Sequence, residues 1–131
     1  ILDMYEAALA DLPVEILSHD GRDSLGREYH SSRHLCLARL EGKTEAFRNA
    51  LIEALAEEGV AANVHYKPLP MHTAYKKLGF DIKDYPNAFH QYENEITLPL
   101  HTCLSDEQVK WVTEAFRRRY AGLQAAGRRL E

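Results

Sequence analysis

The stretch that most constrains this chain is Ala62-Asn63-Val64-His65-Tyr66-Lys67-Pro68-Leu69-Pro70-Met71-His72. It opens as a short β-prone run and then cannot continue as regular structure. Pro68 and Pro70 each lack a backbone donor, and each disfavours the helical region for the residue before it. Lys67 and Leu69 are therefore predicted to be extended. The result is a stiffened ribbon that carries two imidazoles, a phenol and an ammonium close together. Polar side chains on a rigid loop are a common way of presenting groups to a ligand. The other reading is a plain proline-rich connection whose Tyr66 and Met71 plug the core.

The elements on either side follow from periodicity and capping. Ile1, Leu2, Tyr5, Ala8 and Leu9 form one helical stripe, which Pro13 ends. The start reads as the middle of a helix, so further chain is expected before it. Val14 to Leu17 is a short strand candidate. Ser18 to Glu28, with Gly21, Gly26 and many charges, reads as a loop with a disordered tip. His34 to Leu40 is the strongest strand, apolar on both faces and so expected at the centre of a sheet.

Thr44 is a candidate N-cap for a helix whose apolar residues Phe47, Leu51 and Leu55 recur every four positions, with Gly59 as its C′ residue. Ala61 to His65 is expected to be another strand. Thr73 to Leu78 forms a turn or two of helix stopped by Gly79. Asn87 to Glu95 forms a further short helix, and Ile96 to Leu100 an edge strand because of Pro99. Ser105 and Gln108 make a capping box, with Leu104 and Val109 as its hydrophobic staple. The helix they open carries Val109, Val112, Phe116, Tyr120 and Leu123 on one face. Together these elements predict one α/β (α+β) domain over residues 1–131, a small mostly antiparallel sheet packed with helices.

Composition excludes some functions. With 131 residues and 45% hydrophobic side chains, the chain can bury a core without metal or disulfide staples. A net charge of −4 lacks the basic balance of a nucleic-acid binder. No apolar run reaches the roughly 18 residues of a membrane span. Cys36 and Cys103 form no CxxC pair and are expected to be buried, reduced thiols of a cytoplasmic protein. Arg117, Arg118 and Arg119, with Arg128 and Arg129 beyond, are placed near a helix C-terminus as a solvated face.

Seven histidines invite a metal site. His30 and His34 would stand about 13 Å apart on one strand, too far to share an ion. His65 and His72 straddle the prolines with no nearby carboxylate or thiolate at ligand spacing. A metal-dependent hydrolase would need distant segments to converge, and its test is stoichiometric zinc in the purified protein. There is no nucleophile elbow and no phosphate-cradling glycine loop.

Several segments, in order, resemble the C-terminal domain of the DegT/StrS family of pyridoxal-phosphate-dependent nucleotide-sugar aminotransferases. They are Gly59-Val60 leading into Val64-His65-Tyr66 and Pro68; Tyr75 to Gly79 followed by Asp84 and Pro86; and Leu98-Pro99-Leu100 followed by Leu104 to Glu107. Ser32-Arg33-His34-Leu35 also resembles the family, which more usually has an aromatic residue where Arg33 stands. The resemblance runs from about Leu2 to Arg119.

It implies the small domain of a longer fold-type I enzyme. Residues 1–12 would be the end of an inter-domain helix and residues 120–131 a C-terminal tail. The cofactor and the lysine that carries it would sit in a large N-terminal domain. The chain's own lysines lie outside the family's serine-led motif, so no catalytic, cofactor or metal residue is assigned here. The candidate substrate-binding residues are His65, Tyr66 and Lys67, with His34 and His72 behind them. The implied partners are a nucleotide-sugar and an amino-acid donor, in a homodimer serving surface polysaccharide or aminosugar biosynthesis. The isolated chain would hold no pyridoxal phosphate and be inactive. It would expose apolar surface on its first helix, at Tyr5 and Leu9, and self-associate there. A self-standing ligand-binding or dimerisation module of similar fold is the other class left open.

Overall fold

The computed structural model describes residues 1–127. In chain order these form α1 (Leu2–Leu9), β1 (Val14–Ile16), β2 (Asp20–Arg22), β3 (Glu28–His30), β4 (Cys36–Leu40), α2 (Glu45–Glu57), α3 (Thr73–Lys77), α4 (Pro86–Glu93), β5 (Glu95–Leu98) and α5 (Asp106–Gly127). Short 3₁₀ turns cover Leu69–Met71 and Ile82–Asp84. The class is the one expected, mixed α/β with antiparallel strand pairing.

The main sheet has the order β1-β4-β5, so β4 is central. Its register sets Val14 opposite Leu40, Cys36 opposite Leu98 and Ala38 opposite Ile96. Alternation then sends Cys36, Ala38, Leu40, Ile96 and Leu98 to one face, all buried. Leu51 and Leu55 of α2, Tyr5 and Leu9 of α1, and Val109, Val112, Phe116 and Tyr120 of α5 complete that core. Phe116 and Tyr120 stack with centroids 5.9 Å apart, and Phe47 meets Tyr120 edge-on at 5.4 Å. Each such fully buried side chain stabilises the fold by roughly 1.5–3 kcal/mol. The opposite face of the sheet carries Leu37, Arg39, Glu95 and Thr97. β4 therefore buries one face fully and half-covers the other, and it is central in the sheet as expected.

The helix ends are where the capping residues put them. The Thr44 hydroxyl accepts from the Phe47 N–H. Gly59 takes φ +74°, its N–H reaches the Ala56 carbonyl, and the Val60 N–H reaches Leu55, which closes α2 in a Schellman motif. Ser105 and Gln108 exchange both bonds of the capping box, at 2.9 and 3.3 Å.

Several expectations fail. Ser18 to Glu28 is a loop only in part: β2 and β3 pair there as a separate two-stranded hairpin. Its turn is closed by Asp23, whose carboxylate accepts the N–H groups of Leu25 and Arg27. Ala61 to His65 makes no strand and only an isolated bridge, Asn63 to Thr97. Leu69 is in a 3₁₀ turn although Pro70 follows it. Glu95 belongs to β5 and not to the preceding helix.

Residues 120–127, which the resemblance implies are tail, continue α5, and the apolar stripe through Tyr120 and Leu123 lies on that helix as predicted. Arg117 to Arg119 accordingly lie within the helix and bind acids of two other elements. Arg117 pairs with Asp11 just beyond α1, Arg118 with Glu58 at the C-cap of α2, and Arg119 with Glu58 and with Glu57, the last residue of α2. Arg128 and Arg129 lie outside the described residues. Tyr5 and Leu9, expected to be exposed, are sealed in the core, because α5 covers α1 within the domain itself. Cys36 is buried as expected, but Cys103 is exposed, since the turn before α5 leaves it outside.

Candidate functional site

The site is built on β5 and the loop that runs beside its free edge. Asn63 and Thr97 exchange backbone hydrogen bonds at 3.1 and 2.8 Å, which docks the loop against the strand. Two residues further on, the His65 N–H donates to Glu95 Oε2 at 3.0 Å. The His65 ring places Nδ1 2.9 Å from Thr97 Oγ1, and the Thr97 hydroxyl donates to Glu95 Oε1 at 2.6 Å. Glu95 and Thr97 sit two apart on one strand and so share a face. Both are buried.

Burial pushes the Glu95 carboxyl above its ordinary value, while the donors from Thr97 and His65 pull it back. Behind it stands Arg48 of α2, fully buried. Its guanidinium donates to the carbonyls of Tyr92 and Glu95 at 3.3 and 3.4 Å and lies 4.7 Å from the Tyr92 ring centroid. The Tyr92 hydroxyl in turn donates to Glu45 at 2.8 Å. The mouth of the loop is thus held by a polar cluster drawn from α2, α4 and β5.

Beyond His65 the chain turns outward. The Tyr66 ring stands edge-on to His65 at 4.7 Å and is 71% exposed. It does not plug the core. Lys67 is exposed beside it. His72 Nε2 donates back to the Lys67 carbonyl at 3.2 Å, so this imidazole staples the ribbon to itself. Pro68, Leu69, Pro70, Tyr75, Phe80 and Tyr85 line an apolar hollow of ≈ 320 Å³ next to the ribbon.

Of the five sequence candidates, the structure gathers His65, Tyr66, Lys67 and His72 on one loop. His34 is exposed just before β4, and β5 lies between that strand and the loop. Glu95 and Thr97 were missed. Their signal in the sequence is Glu-Ile-Thr-Leu, two polar residues alternating with two apolar ones, and the helical pattern of Asn87 to Glu95 obscures it. Among the described residues no three His, Cys, Asp or Glu side chains are grouped to hold a metal. The lysines build no cofactor cradle either. Lys43 lies over the rings of Phe47 and Tyr120, and Lys67, Lys76, Lys77, Lys83 and Lys110 are exposed.

A three-stranded antiparallel sheet backed by α1, α2 and α5, with this loop on its edge, is the architecture found within solved sugar aminotransferases. The Streptococcus pneumoniae protein Spr1654, assigned as a sugar aminotransferase and solved in its PMP form, superposes with a TM-score of 0.89 at 44% identity. That match covers 97% of this chain and 31% of the other. The PLP form of the same protein matches at a TM-score of 0.84 and 46% identity, over 93% of this chain and 30% of the other.

The chain belongs to the DegT/DnrJ/EryC1/StrS aminotransferase family, whose profile matches residues 1–117. Among its relatives, the spore coat polysaccharide biosynthesis protein SpsC of Bacillus subtilis is 31% identical over 89% of this chain and 30% of its own length. The UDP-4-amino-4,6-dideoxy-N-acetyl-beta-L-altrosamine transaminase of Helicobacter pylori is 34% identical over 61% of this chain and 21% of its length. This chain therefore spans about a third or less of the proteins it matches.

Proposed function

We propose that this chain is the C-terminal small domain of a pyridoxal-phosphate-dependent aminotransferase acting on a nucleotide-linked keto-sugar, with an amino acid as donor. Family membership and the names of the relatives support the reaction class. The observation that carries the substrate-facing role is the His65-Tyr66-Lys67 edge, anchored at one end on buried side chains and exposed at the other. An anchored backbone loses little entropy on meeting a ligand, so its donors are cheap to use. The Lys67 ammonium and Tyr66 hydroxyl suit a diphosphate, and the His65 ring suits sugar hydroxyls. His72 acts by holding the ribbon's shape, and His34 is the outlying candidate.

The cofactor supplies an electron sink for moving the amino group, and it is held by the longer protein with its lysine. What these residues contribute is binding and orientation of the sugar nucleotide. We place the enzyme in surface polysaccharide or aminosugar biosynthesis, as a cytoplasmic homodimer. The spore coat relative's name supports that setting. No helix among the described residues is long and apolar enough to cross a membrane.

Two preparations test the proposal. The isolated chain is expected to show no cofactor absorbance and no transamination, and the longer gene product to show both with a UDP-linked keto-sugar. Turnover by the isolated chain, or a longer product that binds no pyridoxal phosphate, refutes it.

A further inference from the structure

The bonds among His65, Thr97 and Glu95 have a fixed direction. The His65 backbone N–H can only donate, so Glu95 Oε2 accepts it. The Thr97 hydroxyl donates its single proton to Glu95 Oε1. With that proton committed, Thr97 Oγ1 can only accept from the imidazole, and His65 Nδ1 must carry a hydrogen. In the neutral ring Nε2 is then bare, and it has no hydrogen-bond partner among the described residues. Free histidine in water favours the other tautomer, with the hydrogen on Nε2, so the strand imposes the less favoured one.

This ordering requires an ionised Glu95. Burial is the largest influence and raises the carboxyl's pKa, while the donors from Thr97 and His65, and then the Arg48 charge, favour the ionised form. The charged or titratable groups that act on the carboxylate are Arg48 from α2 and His65 from the loop, while Arg39, its register partner on β4, gives its guanidinium to Glu15 and Gln91.

We propose that Glu95, acting through Thr97, holds His65 in the Nδ1–H form so that Nε2 offers a lone pair to the ligand and accepts from a sugar hydroxyl. This rests on the substrate-facing reading above and gives it a chemical sense. A bare ring nitrogen repels a phosphate oxygen, so the anion falls to Lys67 and Tyr66, and His65 selects the hydroxyl-bearing sugar. Glu95 and Thr97 are positioning residues, since neither is exposed to the ligand itself.

Nitrogen-15 histidine spectra of the full-length protein at about pH 8, where free imidazoles are neutral, decide the tautomer. A His65→Gln variant assigns the signal. His65 is expected to appear as Nδ1–H in the wild type, to shift toward Nε2–H in Thr97→Val, and to return in Thr97→Ser. Should Thr97→Val fail to fold, the wild-type tautomer still decides the matter. The Nε2–H form in the wild type, or a spectrum indifferent to Thr97→Val, overturns the proposal.

Kinetics separate it from the reading beneath. Thr97→Val is expected to raise KM for the nucleotide-sugar about tenfold, the value of one hydrogen bond, with kcat within about twofold and KM for the amino donor unchanged. A tautomer that responds as expected while KM stays put leaves the hydrogen-bond order intact and removes the substrate-facing reading. The reverse result, KM rising with no change of tautomer, removes the relay and leaves that reading standing.

Discussion

Replacing Arg48 with methionine tests what holds the α4–β5 junction. Arg48 is fully buried on α2, and its guanidinium is the donor to two carbonyls, those of Tyr92 and Glu95. Methionine keeps most of the side-chain volume, so the cavity contribution is small. Each carbonyl left without a partner costs about 1–3 kcal/mol. Losing the charge over the Tyr92 ring costs about 0.5–2 kcal/mol more. Against this, the mutant no longer buries a charge whose Nε lacks a partner, which recovers part of the loss. The net expectation is a destabilisation of about 2–4 kcal/mol, large against the roughly 5–15 kcal/mol of a typical domain. Equilibrium urea unfolding of the chain measures it, with the midpoint falling and the slope unchanged. Arg48→Ala, which adds a cavity, should cost more than Arg48→Met. A methionine variant within about 0.5 kcal/mol of wild type would show that the desolvation cost cancels the hydrogen bonds, as in other buried charges replaced by apolar residues, and the reasoning would fail.

Other outcomes follow from the same geometry. The Arg117 guanidinium holds the Asp11 carboxyl at about 2, below its usual 3.8. A depressed folded value means the contribution is complete above the unfolded value and disappears as pH falls from about 4 to about 2. Thermal unfolding across that range should show wild type and Asp11→Asn converging at the acid end, and a gap that persists there would refute the assignment. Ser105→Ala removes the capping-box acceptor and should cost about 0.5–2 kcal/mol in the same urea titration, with Ser105→Asp close to neutral. Tyr66→Ala changes a side chain that is 71% exposed. It should leave stability within about 0.5 kcal/mol while raising KM for the nucleotide-sugar in the full-length protein. An unchanged KM would place Tyr66 outside the ligand's reach.

The local signals that survived folding are those whose partners are near in sequence. The Thr44 cap, the Gly59 ending and the Ser105–Gln108 box are bonds across one turn, and each appears as read. The stripe of α5 and the central place of β4 also followed from spacing, because an amphipathic face has only one direction to bury. The hairpin β2–β3 was hidden by its glycines and charges, since its pairing rests on an Asp23-closed turn and a register that apolar patterning does not mark. The local sequence around arginines 117 to 119 carries no sign of their partners, which lie 60 residues or more away in the chain.

For this protein the sequence by itself determined where α2 begins and ends, where α5 begins, which strand is central, and which loop carries exposed polar groups. Those features depend on backbone chemistry within a few residues. Only the tertiary structure decided that His65 rests on Thr97 and Glu95, that Tyr5 is sealed under α5, and that His34 stands apart from the ribbon. The physical reason is that hydrogen-bond direction and burial are set by which strand edge a loop meets. Contacts across 30 residues and more leave no local mark in the chain that makes them.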